Sequence, residues 1–229
     1  MLRYLVILSV AVALAGCGKP GPSRPSGTAA TAKTTPGDPI QACDTFIAQA
    51  GIDKTRSDWK MRLPEPPEFP FDPARTYYWV IDTNFGTIKV KFMPAVAPRH
   101  VSSTIYLSRL GFYDGLTFHR VIPGFMAQGG DPRGDGRGGP GYKYAGEIDD
   151  SVRHDRPGLL SMAHTKLPVS DGSQFFLTFA ARPDLDGKYT IFGEIVDGME
   201  TLKELEKRGS EGGATSERLV MTKTTIEVE

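Results

Sequence analysis

The chain has 229 residues, 27 of them Lys or Arg and 27 Asp or Glu, so its formal net charge at neutral pH is zero. That length allows one domain, or one domain with a tail, and leaves ample chain for a hydrophobic core. The balanced charge argues against nucleic-acid binding and against a strongly basic membrane surface. The 26 glycines and 18 prolines favour turn-rich β structure, a flexible segment, or both.

The first seventeen residues have the features of a targeting signal. Arg3 is a short positive region, and residues 4–16 form an apolar run that falls short of the roughly 20 residues a transmembrane helix needs. The segment Leu14-Ala15-Gly16-Cys17 resembles the lipobox of bacterial lipoproteins, in which the cysteine is acylated and becomes the mature N-terminus. The alternative is an ordinary signal peptide with an incidental cysteine. We predict a lipoprotein signal peptide over residues 1–17 and lipidation at Cys17, where more than one acyl chain would give stable anchoring.

Lipidation would hold the protein in the bacterial cell envelope. Gly18 follows the cysteine, whereas an aspartate there is associated in some bacteria with inner-membrane retention, so the sequence favours the outer membrane, facing the periplasm. Residues 18–39 contain almost no large apolar side chain and cannot bury enough surface to order themselves. They predict a flexible tether with a reach on the order of 25–30 Å.

Residues 40–75 are predicted to form a short helix and a proline-rich strap. Within residues 39–51, four apolar side chains recur with helical spacing, namely Ile40, Cys43, Phe46 and Ile47. The prolines of residues 63–70 remove backbone donors and fix φ, which predicts an extended strap. We expect Phe69 and Phe71 to pack on the domain that follows. The sequence assigns no function to this segment.

The cysteines and histidines give no indication of a metal site. Cys43 is the second and last cysteine, and the four histidines are scattered along the chain. If Cys17 is acylated, Cys43 has no partner within the chain, so in an oxidising compartment it is free or pairs with another molecule. The sequence favours a semi-buried thiol on the short helix. We predict no metal, no cofactor and a monomer.

The folded domain is predicted to cover residues 76–229. Its predicted elements, in chain order, are strands at 77–83 and 86–92, a helix at 98–111, a helix at 199–208 and a closing strand at 219–228. The first two strands flank a hairpin signal at Asn84-Phe85-Gly86. Each helix has apolar side chains on one side and a glycine where the pattern ends. Many short strands with two helices indicate a closed antiparallel barrel.

Three segments carry the strongest indication of function. They read Phe-His-Arg-Val-Ile-Pro-Gly-Phe-Met-Ala-Gln-Gly-Gly-Asp at 118–131, Ser-Gln-Phe-Phe at 173–176 and Leu-Asp-Gly-Lys-Tyr-Thr-Ile-Phe-Gly at 185–193. These segments closely resemble the motifs of the cyclophilins, which are peptidyl-prolyl cis–trans isomerases. The resemblance covers about residues 76–229. It implies a mainly β fold, an eight-stranded closed antiparallel barrel with two capping helices, and proline-containing polypeptides as substrates.

The isomerase chemistry assigns a role to Arg120. Rotation about a peptide bond crosses a barrier of about 18–20 kcal/mol, because the C–N bond has partial double-bond character. A catalyst needs no nucleophile, metal or cofactor, but it needs a pocket for the proline ring and a donor that weakens amide resonance. The Arg120 guanidinium is always charged and presents several N–H groups in a fixed fork. A hydrogen bond toward the prolyl nitrogen would localise its lone pair. The alternative is a salt bridge to a nearby aspartate.

The resemblance also supplies the other site residues, by match to the family's motif positions. It implies that Phe125 and Gln128 act with Arg120 in catalysis, with Gln128 as a clamp on the substrate backbone. The residues implied to bind substrate are Met126, Ala163, His164, Gln174, Phe176, Leu185 and Tyr189. The proline pocket is expected from Phe125, Met126, Phe176 and Leu185, and Ala163 is expected to offer backbone groups at its rim. His119 is predicted to be a packed, hydrogen-bonded histidine, because the reaction transfers no proton.

The chain departs from the family's pattern at three of these positions. His164 stands where family members often have asparagine, Asp184 where many eukaryotic members have tryptophan, and Tyr189 where many have histidine. The missing indole removes both a stacking surface and an N–H donor. We therefore expect weak inhibition by cyclosporin.

The leading interpretation is a membrane-anchored isomerase that helps exported or envelope proteins to fold. One alternative is a module that binds proline-containing peptides, with turnover incidental. Another is a general holdase, which would need an exposed apolar patch that the sequence does not obviously supply. The enzyme is favoured because the sequence contains the whole set Arg120, Phe125, Met126, Gln128 and Phe176.

Overall fold

Two stretches of the chain, residues 37–165 and 167–229, are described by the computed structural model. The predicted signal peptide, Cys17 and most of the predicted tether lie outside these residues. Within the two stretches, no helix combines the length and the apolar character needed to cross a membrane.

The main element of the described residues is an eight-stranded antiparallel sheet, accompanied by a separate two-stranded ribbon. The strands of the large sheet are β1 (Tyr77–Thr83), β2 (Gly86–Phe92), β3 (Arg120–Ile122), β4 (Met126–Gly129), β6 (Leu159–Met162), β8 (Phe175–Thr178), β9 (Ile191–Asp197) and β10 (Met221–Val228). The ribbon pairs β5 (Tyr144–Ala145) with β7 (Val169–Asp171). The large sheet runs in the order β10-β1-β2-β9-β6-β8-β4-β3. The hairpin of β1 and β2 has the bounds that the sequence predicts.

The sheet is curled but open, so the prediction of a closed barrel is wrong. Its edge strands β3 and β10 do not pair, and between them the described chain makes one isolated bridge, from Thr117 to Val220. The outer edge of β3 is occupied instead by the loop of residues 207–218. In that loop, the Gly213 carbonyl accepts from Val121 N at 2.9 Å, and Ser210 N donates to the Val121 carbonyl at 3.1 Å. A covered edge has no free groups left with which to close the barrel.

Three helices lie in the described stretches, at α1 (Pro39–Gln49), α2 (Pro98–Arg109) and α3 (Met199–Glu206). The helices predicted at 98–111 and 199–208 are confirmed, each ending two residues early. Since α1 packs on α2, the domain carries one helix more than the two expected to cap it. The first turn of α2 begins with Pro98 and is capped from outside, because the Glu147 carboxylate accepts from Arg99 N at 3.2 Å and His100 N at 3.0 Å.

Residues 37–75, called here the N-terminal layer, pack into the same hydrophobic core as the sheet. Cys43, Leu63 and Phe69 are buried members of that core. Phe69 N donates to Ser102 Oγ of α2 at 2.9 Å, and Leu63 N donates to the Pro140 carbonyl at 2.8 Å. The expected packing of Phe69 is confirmed, and so is that of Phe71, whose ring meets the Tyr77 ring edge-on at 5.2 Å.

Cys43 lies on the predicted short helix but is fully buried. Burial, aided by the nearby Asp44 carboxylate, raises the pKa of its thiol to about 12. The thiolate is the reactive form of cysteine, so this side chain is a packing residue rather than a redox site.

His100 lies in the interior between two carboxylates. Its Nδ1 is 2.6 Å from Glu147 Oε2, and its Nε2 is 2.8 Å from Asp171 Oδ2. Burial opposes the charged imidazolium, but the hydrogen bonds to both carboxylates outweigh burial, so the pKa of His100 is raised. Burial likewise opposes the charged Glu147, yet the hydrogen bonds from His100 leave the pKa of that carboxyl lowered. We call these three residues the His100 cluster.

Candidate active site

The register of three neighbouring strands brings the predicted catalytic side chains to one face of the sheet. Arg120 of β3 pairs with Gln128 of β4, and Gln128 pairs with Phe176 of β8. Residues directly opposite each other on antiparallel strands point to the same face. The alternation of the strands therefore places all three side chains side by side.

A row of hydrogen bonds, called here the amide relay, runs away from Arg120 across this face. Arg120 Nη1 donates to Gln128 Oε1 at 3.2 Å, and Gln128 Nε2 donates to Gln174 Oε1 at 3.0 Å. Gln174 Nε2 then donates to the Gly138 carbonyl at 2.9 Å. The salt bridge considered as an alternative for Arg120 is not found, since its guanidinium pairs with no carboxylate of the described residues.

The aliphatic stem of Arg120 rests on the loop that covers β3. Gly213 there has φ of 85°, and a Cβ at that position would lie 2.7 Å from Arg120 Cγ. Only glycine tolerates this combination of a left-handed backbone and a close side chain. The loop thus fixes the direction in which the guanidinium leaves the strand.

Beside Arg120 lies a small apolar cluster that is separate from the main core. Its buried members are Met126, Phe176 and Leu185, and its half-buried members are Ile122, Phe125, Ala163 and Tyr189. We call this cluster the apolar pocket. The Phe176 and Tyr189 rings meet edge-on with centroids 5.6 Å apart, and Leu185 is supplied by a 3-10 turn at Pro183–Leu185. The structure thus assembles the residues expected to surround a proline ring.

Arg182 is a neighbour of the pocket that the sequence analysis missed. Its guanidinium carbon lies 3.9 Å from the centre of the Phe125 ring, within the range of a cation–π interaction. Asp184 holds that guanidinium with two hydrogen bonds, of 2.9 and 2.8 Å. Asp184, which stands where many eukaryotic members have tryptophan, is therefore connected to the pocket: it holds Arg182, and Arg182 packs on the Phe125 ring. The spacing Arg-x-Asp was the only local signal for this pair.

Ala163 and His164 lie at the rim of the pocket. Ala163 N donates to the Gln174 carbonyl at 2.9 Å, so Ala163 has only its own carbonyl left to offer a substrate. His164 Nε2 is 2.6 Å from the Lys188 carbonyl, and its ring centre is 4.4 Å from that of Tyr189. These contacts join His164 and Tyr189 into one wall.

His119 is packed as expected, but the hydrogen bonds expected for it are absent. Both ring nitrogens are buried without a partner among the described residues. Burial is the main reason that the pKa of His119 is lowered, which keeps the ring neutral at neutral pH.

Within residues 37–165 and 167–229, no cluster of His, Cys, Asp and Glu has the arrangement needed to hold a metal ion. What the site offers is one exposed cation, several amide groups and a small apolar pocket. This combination can bind a peptide and stabilise a change in the electron distribution of an amide, but it contains no activated nucleophile.

Comparison with known proteins agrees with this geometry. The family described as cyclophilin type peptidyl-prolyl cis-trans isomerase matches residues 78–226. The chain is 43% identical over 155 residues to peptidyl-prolyl cis-trans isomerase-like 1 of Gibberella zeae, a match that covers 66% of this chain and 95% of that protein. It is 51% identical over 124 residues to a peptidyl-prolyl cis-trans isomerase of Synechococcus elongatus, covering 54% of this chain and 83% of that one.

A solved structure gives the same result for the fold. It is the crystal structure of a Cryptosporidium parvum cyclophilin type peptidyl-prolyl cis-trans isomerase in the presence of the dipeptide Ala-Pro. The TM-score is 0.63 at 37% identity, and the match covers 66% of this chain and 98% of that one.

The open antiparallel sheet, with an apolar pocket beside an arginine, defines a domain of the cyclophilin class, and this chain belongs to that family. The protein is a peptidyl-prolyl cis–trans isomerase. The family match begins inside β1 and does not include the N-terminal layer.

Proposed function

We propose that Arg120 accelerates rotation about X-Pro bonds by donating a hydrogen bond to the prolyl nitrogen, while the apolar pocket holds the proline ring. The observation that carries this proposal is the exposed Arg120 guanidinium beside the pocket, with Gln128 as its hydrogen-bond partner. In a planar amide the nitrogen lone pair is delocalised and accepts poorly. As the bond twists, the lone pair localises on nitrogen, so the hydrogen bond is strongest in the transition state.

The other site residues hold the substrate on either side of the rotating bond. Phe125, Met126, Phe176 and Leu185 enclose the proline ring, and each buried CH₂ of the ring contributes about 0.8 kcal/mol of binding. Gln128 and Gln174 each have an unused N–H and a free lone pair, which suit the backbone amides that flank the proline. Ala163, His164 and Tyr189 close the rim. One chain supplies all these groups, which supports a monomer as the active form.

The test is isomerisation of a short X-Pro peptide by the full-length protein, compared with its Arg120→Ala variant. We expect kcat/KM to fall about 100-fold or more in the variant, as for the loss of a transition-state donor. Peptide binding, measured separately by titration, should change only a few-fold. The control is Arg218→Ala, which removes an arginine outside the site.

Two outcomes would contradict the proposal. If the wild type turns the peptide over no faster than the uncatalysed reaction, the site serves binding only. If Arg120→Ala is as fast as Arg218→Ala, the protein is an isomerase but Arg120 is not its donor.

The proposed setting is the bacterial cell envelope, where the protein assists the folding of exported proteins that contain proline. The support is the sequence around Cys17, which matches a lipoprotein processing site, and Gly18 favours the outer membrane. The similar Cryptosporidium parvum structure was determined in the presence of Ala-Pro, which supports proline-containing substrates. Labelling of cells with an azide-tagged fatty acid should mark the wild type but not Cys17→Ser, and the labelled protein should fractionate with outer membranes. Label that persists in Cys17→Ser would refute this anchor site.

A further inference from the structure

The N-terminal layer meets the active site at residues 138–141, called here the Gly138 loop. Within the described residues, this loop makes two hydrogen bonds with the rest of the chain. The Gly138 carbonyl accepts from Gln174 Nε2 at 2.9 Å, as the last acceptor of the amide relay. The Pro140 carbonyl accepts from Leu63 N at 2.8 Å. One bond therefore ties the loop to the active site and the other ties it to the layer.

The layer and the Gly138 loop are in close contact. Gly141 has φ of 105°, and a Cβ on it would lie 2.7 Å from the Met61 carbonyl oxygen and 2.9 Å from Leu63 N. Pro140 is buried and also packs against Gly172, where a Cβ would lie 3.1 Å from Pro140 Cδ. The loop is thus packed both against the layer and against the chain that leads into β8.

This part of the layer is anchored to the domain independently of the loop. Lys54 Nζ donates to the Leu110 carbonyl at 2.8 Å. Lys60 Nζ donates to the Asp114 carbonyl at 2.9 Å, and both acceptors follow α2. The Leu63 side chain is 4% exposed and belongs to the main core. The N–H that reaches the loop therefore comes from a fixed support.

The amide relay depends on a fixed acceptor at its Gly138 end. A glutamine amide presents a donor on one side and an acceptor on the other, and turning it over exchanges the two. Gln128 and Gln174 are half-buried, so water can replace a partner that moves away. Gln174 keeps its orientation because the Gly138 carbonyl can only accept, and Gln128 donates to Gln174 in turn. A displaced loop would release both amides.

We propose that Met61 and Leu63 are positioning residues for isomerisation, because their backbone holds the Gly138 loop at the end of the amide relay. The glutamines of the relay thereby keep the orientation in which they meet the substrate. This inference rests on the proposed function, in which those glutamines bind the backbone that flanks the proline. Both positioning residues lie outside the family match at residues 78–226, so the support comes from outside the family domain. Orientation matters most in the transition state, so its loss should lower kcat more than it changes KM.

The experiment removes a single N–H from the full-length protein. Nonsense suppression with an α-hydroxy acid replaces Leu63 by leucic acid, whose ester oxygen cannot donate to Pro140. The control replaces Phe69 by phenyllactic acid, which deletes the donor to Ser102 Oγ in the same layer. The two sites are matched, since their hydrogen bonds measure 2.8 and 2.9 Å and their side chains are 4% and 3% exposed.

We expect the Leu63 ester to lower kcat about three- to tenfold, the size of one lost hydrogen bond, and to change KM less than about twofold. The Phe69 ester should lose a similar amount of stability in urea and keep the wild-type kcat. A wild-type kcat in the Leu63 ester would overturn the proposal. So would an equal loss of kcat in both esters, because the loss would then follow stability rather than contact with the loop.

Two glycine variants repeat the comparison with ordinary residues. G141A should lower kcat as the Leu63 ester does, because the added Cβ pushes the loop away from the Met61 carbonyl. G115A is the control. Gly115 has φ of 80°, so the backbone strain is similar, but the described chain places no atom beyond the two neighbouring residues within 4 Å of the added Cβ. An equal kcat in G141A and G115A would contradict the proposal.

A readout without turnover separates this proposal from the proposed function. In isotope-labelled protein, the side-chain NH₂ resonances of Gln174 report its hydrogen bond to Gly138. They should shift in the Leu63 ester and stay unchanged in the Phe69 ester. If the wild type does not isomerise a short X-Pro peptide, the proposed function fails, yet a shift confined to the Leu63 ester retains the layer as the support of this site. Unchanged Gln174 resonances in the Leu63 ester overturn that support.

Discussion

The active-site face and the N-terminal layer are held together by different kinds of interaction. On the active-site face, the exposed Arg120 and the half-exposed Gln128 and Gln174 form hydrogen bonds with one another. In the layer, buried apolar side chains and backbone donors attach the chain to α2, as Phe69 does. Exposed polar contacts contribute little to stability, whereas buried apolar side chains contribute a great deal. Activity and stability should therefore respond to substitutions in different regions of this molecule.

The largest effect is expected in the layer. Phe69→Ala removes a side chain that is 3% exposed and should lower the free energy of unfolding by about 3–5 kcal/mol. The kcat/KM of the molecules that remain folded should stay within about twofold. Urea denaturation and peptide turnover at low temperature measure the two quantities. Phe71→Ala, at a half-buried site, is the matched control and should lose less stability. A large loss of kcat/KM in folded Phe69→Ala would contradict the expectation that activity and stability depend on different regions of the molecule.

Arg120→Lys is expected to lose activity while keeping its stability, the reverse of Phe69→Ala. Lysine keeps the charge but lacks the planar fork that can serve Gln128 and the prolyl nitrogen together. We expect kcat/KM to fall about 10- to 100-fold and the free energy of unfolding to change by less than about 0.5 kcal/mol. Arg218→Lys is the control in both measurements. If Arg120→Lys were fully active, a point charge would suffice and the geometry of the donor would be irrelevant.

The pH dependence of stability provides a further test of this comparison, because the His100 cluster lies at the first turn of α2 and shares no residue with the amide relay. The pKa of His100 is raised on folding, so its contribution is complete below about pH 6.5 and is lost as the pH rises through the folded value. The pKa of Glu147 is lowered, so its contribution is lost as the pH falls below about 4.5. The cluster therefore stabilises the fold most between these limits.

Above pH 6.5, the wild type should lose up to about 1.4 kcal/mol per pH unit from this single proton. His100→Gln should be less stable overall, because it leaves buried carboxylates without their charged partner, but its stability should lack this slope. His164→Gln, at a half-buried histidine of the pocket rim, is the control and should keep this slope. Equal slopes in the wild type and His100→Gln, measured by chemical denaturation between pH 6.5 and 9, would show that another group titrates.

The smallest effect concerns the rim of the pocket. We expect weak cyclosporin inhibition of the wild type, because Asp184 offers neither an indole surface nor an N–H donor. Asp184→Trp should strengthen inhibition by about three- to tenfold, in line with about 0.5–1.5 kcal/mol for an added aromatic contact. Asp150→Trp is the control at another exposed aspartate. Should Asp184→Trp leave the inhibition constant unchanged, the departure from the family pattern has no bearing on this inhibitor.

Local patterns in the sequence predicted the elements of the fold that depend on neighbouring residues. The hairpin of β1 and β2, both domain helices and the short helix at Pro39 follow from spacing, turn residues and caps that are adjacent in the chain. The β5–β7 ribbon has strands of only two and three residues, too short to show any alternation. The open edge was missed because it depends on a loop near Gly213 that carries no strand pattern.

In the candidate site, too, the sequence predicted what neighbouring residues determine and missed contacts between residues that are distant in the chain. Arg120, Gln128 and Phe176 were predicted as site residues because they lie in two continuous motifs, at 118–131 and 173–176. The close approach of Gly141 to the Met61 carbonyl was missed because the two residues are eighty positions apart in sequence. The partners of His100 were missed for the same reason, since Glu147 and Asp171 lie 47 and 71 residues away. Contacts of this kind leave no periodic signal in the chain.

The amide relay has one further consequence, which concerns direction. A guanidinium can only donate and a carbonyl oxygen can only accept, so the two ends of the relay, at Arg120 and Gly138, fix the orientation of both glutamine amides between them. A peptide backbone is itself a directional sequence of donors and acceptors. A fixed row of amides can complement such a chain running one way but not the other. If substrate binds along the relay as proposed, we expect the enzyme to distinguish the N-terminal from the C-terminal side of its proline before any bond has begun to turn.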